Sequence, residues 1–231
     1  MTSIAPAGYR DLPALMTLMT CDEKHCASAT STLDALWVLY DQVLAVDPAH
    51  PDAPDRDRFL LSKGHGPMAY YAVLAAKGFL SRDQLRSFGR FDSPLGYHPD
   101  RTLVPGAEIS SGSLGHGLGL AVGTALGLRV TGYRQARVVV LLGDAELEEG
   151  SNLEAIQYAG RQRLDQLMAI VIDNSSASLG WPGGIGQRFV AEGWSAIDVA
   201  GRDHQALARA YAAGRPGRPH AVIAHVERKD S

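Results

Sequence analysis

Residues 137–142 read RVVVLL and run into Gly143-Asp144-Ala145-Glu146, and residues 167–173 read LMAIVID and run into Asn174. Both runs are apolar and β-branched without alternation, the pattern of strands buried on both faces. Residues 147–163 between them have the length of a helical crossover, which parallel neighbours require. Further along, 196–199 predicts a short strand, 203–213 a helix capped by Asp203, and 220–226 (HAVIAHV) a last strand. Alternating strands and helices predict an α/β fold, a mainly parallel sheet with helices on both faces. Ligands of such sheets bind at the carboxyl ends of the strands, where Asp144 and Asn174 both fall.

Upstream the pattern is helical. Leu33, Leu36, Trp37, Tyr40, Val43 and Leu44 follow the spacing of an amphipathic helix, with Ser31 or Thr32 to cap it and Pro48 beyond its end. Residues 11–20 predict a short helix and 47–58 a polar, Pro-rich loop. In 61–79 (LSKGHGPMAYYAVLAAKGF) a turn around His65 opens an apolar helix that closes near Gly78. Residues 81–89 read as a short polar helix, 90–112 as a long loop of the kind that usually carries function, and 174–193 as a Gly-rich loop. No repeat or linker is visible. The expectation is one domain over 1–231, with 1–10 a leader and 227–231 a short tail.

The chain has 25 glycines in 231 residues, above the average share of about 7%. They concentrate at 112–127, 143–150 and 180–193, which points to backbone approaching a helix or a ligand closely. Gly119, Gly123 and Gly127 recur every four residues within 113–130, so that segment predicts a buried helix with another backbone against its smooth face.

A net charge of −3 gives no footprint for nucleic acid or an anionic membrane, and no apolar run approaches 18 residues. The expectation is a soluble cytoplasmic protein. Cys21 and Cys26 then read as reduced thiols, since no second cysteine pair completes a zinc tetrahedron.

Asp144 and Asn174 lie thirty residues apart, about one βαβ unit. A carboxylate and an amide oxygen on rigid strand ends are hard ligands suited to Mg²⁺ or Ca²⁺, with positions left for phosphate oxygens. The 143–146 turn leads toward a helix N-terminus, where free amides favour phosphate. The plainer alternative is that Asp144 caps the helix and Asn174 makes a turn.

GDAELEEGSNLEA followed by LDQLMAIVIDNSSASLG resembles the thiamine diphosphate signature. LSKGHGPMAYYAVLAAKGF, GYHPD, PGAEISSGSLGHGLGLAVG and EGWSAIDVAGRDHQAL stand around it in the order of transketolase, from about residue 12 to 226. The resemblance is to the separate N-terminal, diphosphate-binding subunit of split transketolases. It implies Asp144, Asn174 and the Ser176 carbonyl as metal ligands. Gly143 opens the signature, Ala145 and Glu146 match the turn that receives the diphosphate, and Gly112, Ser113 and Leu114 lie against the cofactor rings. His65 and His98 match histidines around the thiazolium and the sugar hydroxyls, and His25 one that meets substrate. Proton removal from a hydroxyl suits a base titrating near neutrality, which agrees with these histidines. His116 stands where the family often has Gln, and His50, His204, His220 and His225 read as structural or surface residues.

The departures lie toward the substrate. Ala145 replaces a glycine, Lys24-His25-Cys26-Ala27 replaces Gly-His-Pro-Gly, and Leu179-Gly180 replaces Asp-Gly. The resemblance further implies a partner, a separate C-terminal subunit carrying the pyrimidine-binding domain and the activating glutamate, in an α2β2 assembly. The implied activity is transfer of a two-carbon ketol from a ketose phosphate. Alternatives are transfer of an acyl unit to a lipoyl or acyl-carrier protein, or a non-catalytic assembly paralogue.

Overall fold

The computed structural model describes residues 7–19 and 26–228. Five strands form one sheet: β1 Arg58–Leu61, β2 Val138–Gly143, β3 Leu167–Asp173, β4 Ser195–Ala200 and β5 His220–His225. Their order is β1-β2-β3-β5-β4, every neighbour parallel. The eight α-helices among the described residues are α1 Leu12–Met16, α2 Cys26–Gln42, α3 Met68–Ala76, α4 Arg82–Arg86, α5 Gly117–Val130, α6 Gly150–Arg161, α7 Ile185–Ala191 and α8 His204–Ala212.

Side chains alternate across a strand, so one sheet builds two cores. Val139, Leu141, Ile170, Ile172 and Val222 face α1, α2, α3 and α8. Val138, Val140, Leu142, Ala169, Val171 and Ile223 face α5, α6 and α7. Every residue of β2 is buried, which explains its unbroken apolar run. α3 is buried all round and correspondingly apolar on every face.

The structure revises four expectations. β1, only four residues long beside a turn, lies in sequence that predicts no strand. α2 starts at Cys26, earlier than Ser31 or Thr32, and both of these are buried within it. The Gly-rich 174–193 stretch contains α7, whose Phe189 packs edge-on to Trp194. The α5 stripe faces outward: a Cβ on Gly119, Gly123 or Gly127 would meet nothing within 4 Å. Among the described residues no backbone packs there. No described helix is long and apolar enough to cross a membrane.

Candidate functional site

The parallel register aligns the carboxyl ends of β2 and β3, with Gly143 opposite Ile172, so Asp144 and Asn174 emerge at one edge. Asp144 is buried at 1% exposure and stands at the N-terminal position of a 3₁₀ turn, Ala145–Glu148, yet its side chain makes no capping bond. Its carboxylate turns to the next loop instead. The Ser176 amide donates to Oδ2 at 2.6 Å, the Ser176 hydroxyl to Oδ1 at 2.5 Å, and the Ala177 amide to Oδ2 at 3.1 Å. The turn that presents Ser176 is tight: Ser175 has φ of 57°, and its amide donates to Asp173 Oδ1 at 3.0 Å.

Asn174 is buried, and its Oδ1 accepts no hydrogen bond. Such an unmet acceptor is costly unless something outside the chain supplies a positive partner. A carboxylate offers about four lone-pair sites, of which three are taken here, and the amide oxygen is open. These are hard oxygen donors, so the residues present fit a divalent cation carried with phosphate oxygens. No group of three or more His, Cys, Asp or Glu among the described residues is placed to hold a metal by itself.

Ala145 does not occupy left-handed backbone, so its methyl carries no strain where the signature has glycine. Glu146 is placed otherwise than its position in the turn suggests. It is 2% exposed, and its carboxylate accepts from the Ser62 hydroxyl, the Gly115 amide at 3.0 Å and the Gly143 amide at 3.3 Å. Burial pushes this carboxyl up, against the pull of those donors and of Lys63. Glu148 reaches the same edge from outside. It accepts from the Ser178 amide at 2.6 Å, the Ser178 hydroxyl at 2.8 Å and the Leu179 amide, and these bonds hold its carboxyl below the usual glutamate range.

The 110–117 segment adjoins this turn through the Gly115 amide on Glu146 and the Gly117 amide on Ser62. The His98 ring lies beside Gly112, with ring carbons 3.7 and 3.8 Å from where a Cβ would stand. Gly112, Ser113, Leu114 and His98 are exposed and His65 is half-buried. Gly115, at φ of 84°, sits where a Cβ would fall 2.7 Å from Glu149 Cβ, so side chains are excluded. His25, Cys21 and the Lys24 position lie outside the described residues. Three other histidines are tied elsewhere, His50 to Asp47, His204 to Asp34 and His220 to Ser195 and Ala210, whereas His225 ends β5 at this same sheet edge and bridges Asp173 and Asp198. Sequence reasoning missed Ser62, Glu148 and Asn152, whose roles depend on distant partners and leave no local signal.

Fold and edge together define an α/β domain of the class that receives a phosphate-bearing ligand beyond its strand ends. The chain belongs to the family described as transketolase, thiamine diphosphate binding domain, which matches residues 12–226. It is 56% identical over 223 residues to "Ferredoxin fas2" of Rhodococcoides fascians, covering 96% of this chain and 73% of that one. It is 36% identical to one subunit of the apulose-4-phosphate transketolase of Actinobacillus succinogenes, covering 87% and 75%. Among solved structures, the transketolase from Leishmania mexicana superposes with a TM-score of 0.78 at 27% identity, covering 96% of this chain and 37% of that one. The chain thus spans little more than a third of that solved transketolase.

Proposed function

We propose that this chain is the thiamine diphosphate-binding subunit of a two-component transketolase that moves a two-carbon ketol from a ketose phosphate to an acceptor. The observation that carries the reading is the buried, unpaired Asn174 Oδ1 at the same strand edge as the Asp144 carboxylate. Asp144, Asn174 and the Ser176 carbonyl would hold Mg²⁺ or Ca²⁺ against the diphosphate. Gly143, Ala145 and the turn they form would face its oxygens, and Gly112, Ser113 and Leu114 would lie against the rings. Thiamine diphosphate, when bound, supplies the electron sink that lets a C–C bond beside a carbonyl break. His98 and His65 orient the ketose hydroxyls and take or return a proton at the hydroxyl oxygen, joined by His25 at the substrate end.

The 36%-identical relative is named as one subunit of its transketolase, which supports a separate partner here. That partner would bring the pyrimidine-binding domain and the activating glutamate, completing an α2β2 enzyme in the cytoplasm. The test is turnover of a ketose phosphate with an aldose phosphate acceptor, by the chain alone and with its partner. Activity only in the pair is expected; turnover by the chain alone overturns the split site.

A second reading concerns the acceptor, and one observation favours it: the 56%-identical relative is named as a ferredoxin. On this reading the two-carbon unit is oxidised by two electrons and released to water as the acid, and two equivalents of a one-electron iron–sulfur carrier are reduced. Reduction of an iron–sulfur protein by the assembled enzyme under anaerobic conditions, without an aldose, would separate it from ketol transfer. A lipoylated or pantetheinylated protein in the same screen tests the acyl-transfer alternative.

A further inference from the structure

The geometry points to Glu146 as a positioning residue, one that fixes the 112–117 backbone at the mouth of the site and does not touch the diphosphate. Its carboxylate is the meeting point of three segments distant in sequence. Oε1 accepts from the Ser62 hydroxyl just past β1 and from the Gly115 amide ahead of α5, and Oε2 accepts from the Gly143 amide at the end of β2. Its own carbonyl takes a bond from Asn152 Nδ2 at 2.6 Å, which fastens the turn to α6.

Ser62 extends the link by one residue. While its hydroxyl donates to Glu146, the same oxygen accepts from the Gly117 amide at 3.0 Å. A Cβ on Gly117 would collide with the Ser62 side chain, so the contact admits only glycine. From the opposite side Ser151 Oγ donates to the Gly115 carbonyl at 2.8 Å. The 115–117 backbone is therefore held at the Gly115 and Gly117 amides and at a carbonyl, and both amides trace back to one buried carboxylate. Hydrogen bonds to an ionised acceptor are roughly twice as strong as neutral ones.

Charge agrees with geometry. A carboxylate directed at a diphosphate would set like charges together in a desolvated site. Here the carboxylate points into the protein, toward the Ser62, Gly115 and Gly143 donors. The exposed Gly112–Leu114 stretch adjoining Gly115 thus receives its position from a residue that never reaches the ligand.

This inference rests on the thiamine diphosphate reading only for what the 112–114 backbone meets. The experiment uses Glu146→Gln and Ser62→Ala in the full chain within its assembly, with two readouts. In the first, amide hydrogen exchange at Gly115 and Gly117 is expected to accelerate about tenfold or more, the scale of one bond to a charged acceptor. The β3 amides from Ala169 to Ile172 should keep their protection, which separates a local release from general loosening. Ser62→Ala should release Gly117 and leave Gly143 protected.

In the second, calorimetry compares Mg²⁺ with inorganic pyrophosphate and Mg²⁺ with thiamine diphosphate. Glu146→Gln should bind pyrophosphate as the wild type does and thiamine diphosphate about tenfold more weakly. Unchanged exchange at Gly115, equal weakening of both ligands, or faster exchange with neither ligand weakened would each overturn the proposal. A wild type that binds neither ligand would instead defeat the cofactor reading, and the exchange result alone would then decide what Glu146 holds.

Discussion

Ser176 meets Asp144 twice, its amide donating to Oδ2 at 2.6 Å and its hydroxyl to Oδ1 at 2.5 Å. The end of β2 is thereby tied to the turn after β3 before any ligand arrives, and the residues proposed to hold the metal sit in a pre-formed edge.

Replacing Asp144 tests that edge. Asp144→Ala removes the charged member of the proposed metal ligands and leaves the Ser176 and Ala177 amides without that acceptor. Retention of thiamine diphosphate with Mg²⁺ should weaken at least about tenfold, since even outer-shell changes at metal sites cost about 10–100-fold. Calorimetric titration of the assembled enzyme reads this directly. Equal affinity in wild type and variant would sink the ligand assignment.

His98 is exposed beside Gly112 and is the residue proposed above to meet the ketose. His98→Ala should leave cofactor affinity nearly unchanged and slow donor cleavage by about 10²–10⁴-fold, the usual contribution of a positioned acid or base. Stopped-flow measurement with the ketose donor alone checks the step. A large loss of cofactor binding would mean that the ring belongs to the other end of the site.

The outward stripe of α5 makes a two-sided forecast. Gly123 faces open space, so Gly123→Ala should raise helix stability by about 1 kcal/mol and the melting temperature by about 2–4 °C. Gly123→Leu should fold equally well, yet should fail to assemble if the proposed partnership uses this smooth face. Size-exclusion chromatography with and without the partner gives the answer. Normal assembly of the leucine variant would free the stripe from that role.

Acid stability follows from two buried groups on the other core. Burial lowers the His220 imidazole below its ordinary 6.5, resisted by bonds to Ala210 and Ser195. Burial raises the Asp34 carboxyl, but bonds from Tyr9, Arg202 and His204 outweigh it and hold it below 3.8. Both folded values are depressed, so both contributions are present above the unfolded values and lost as pH falls, His220 first below 6.5 and Asp34 below 3.8. Glu108 and Glu146, raised above 4.5 by burial, act oppositely and weaken the fold as pH rises through their folded values. The clean measurement is therefore a difference. Between pH 7 and pH 5 the wild type should lose more melting temperature than His220→Gln, and parallel curves would refute the assignment.

The middle of the molecule is legible from the order of its amino acids alone. An unbroken β-branched run marks a strand buried on both faces, and two such runs, one crossover apart, bring Asp144 and Asn174 to the same edge with no further information. Local pattern is sufficient there because the residues that define each strand are contiguous. β1 escaped because four residues beside a turn carry too little periodicity, and α7 because glycines at 180–186 mask a helix whose stability comes from Phe189 against Trp194. The glycine stripe announced a close contact, but only the tertiary arrangement showed that nothing among the described residues makes it. Glu146 marks the same limit at the site. Its place in the turn suggested a ligand contact, whereas its direction is set by Ser62, 84 residues earlier, and Gly115, 31 residues earlier. A buried carboxylate turns toward whatever donors the fold brings within reach, and those donors are chosen by packing between distant segments.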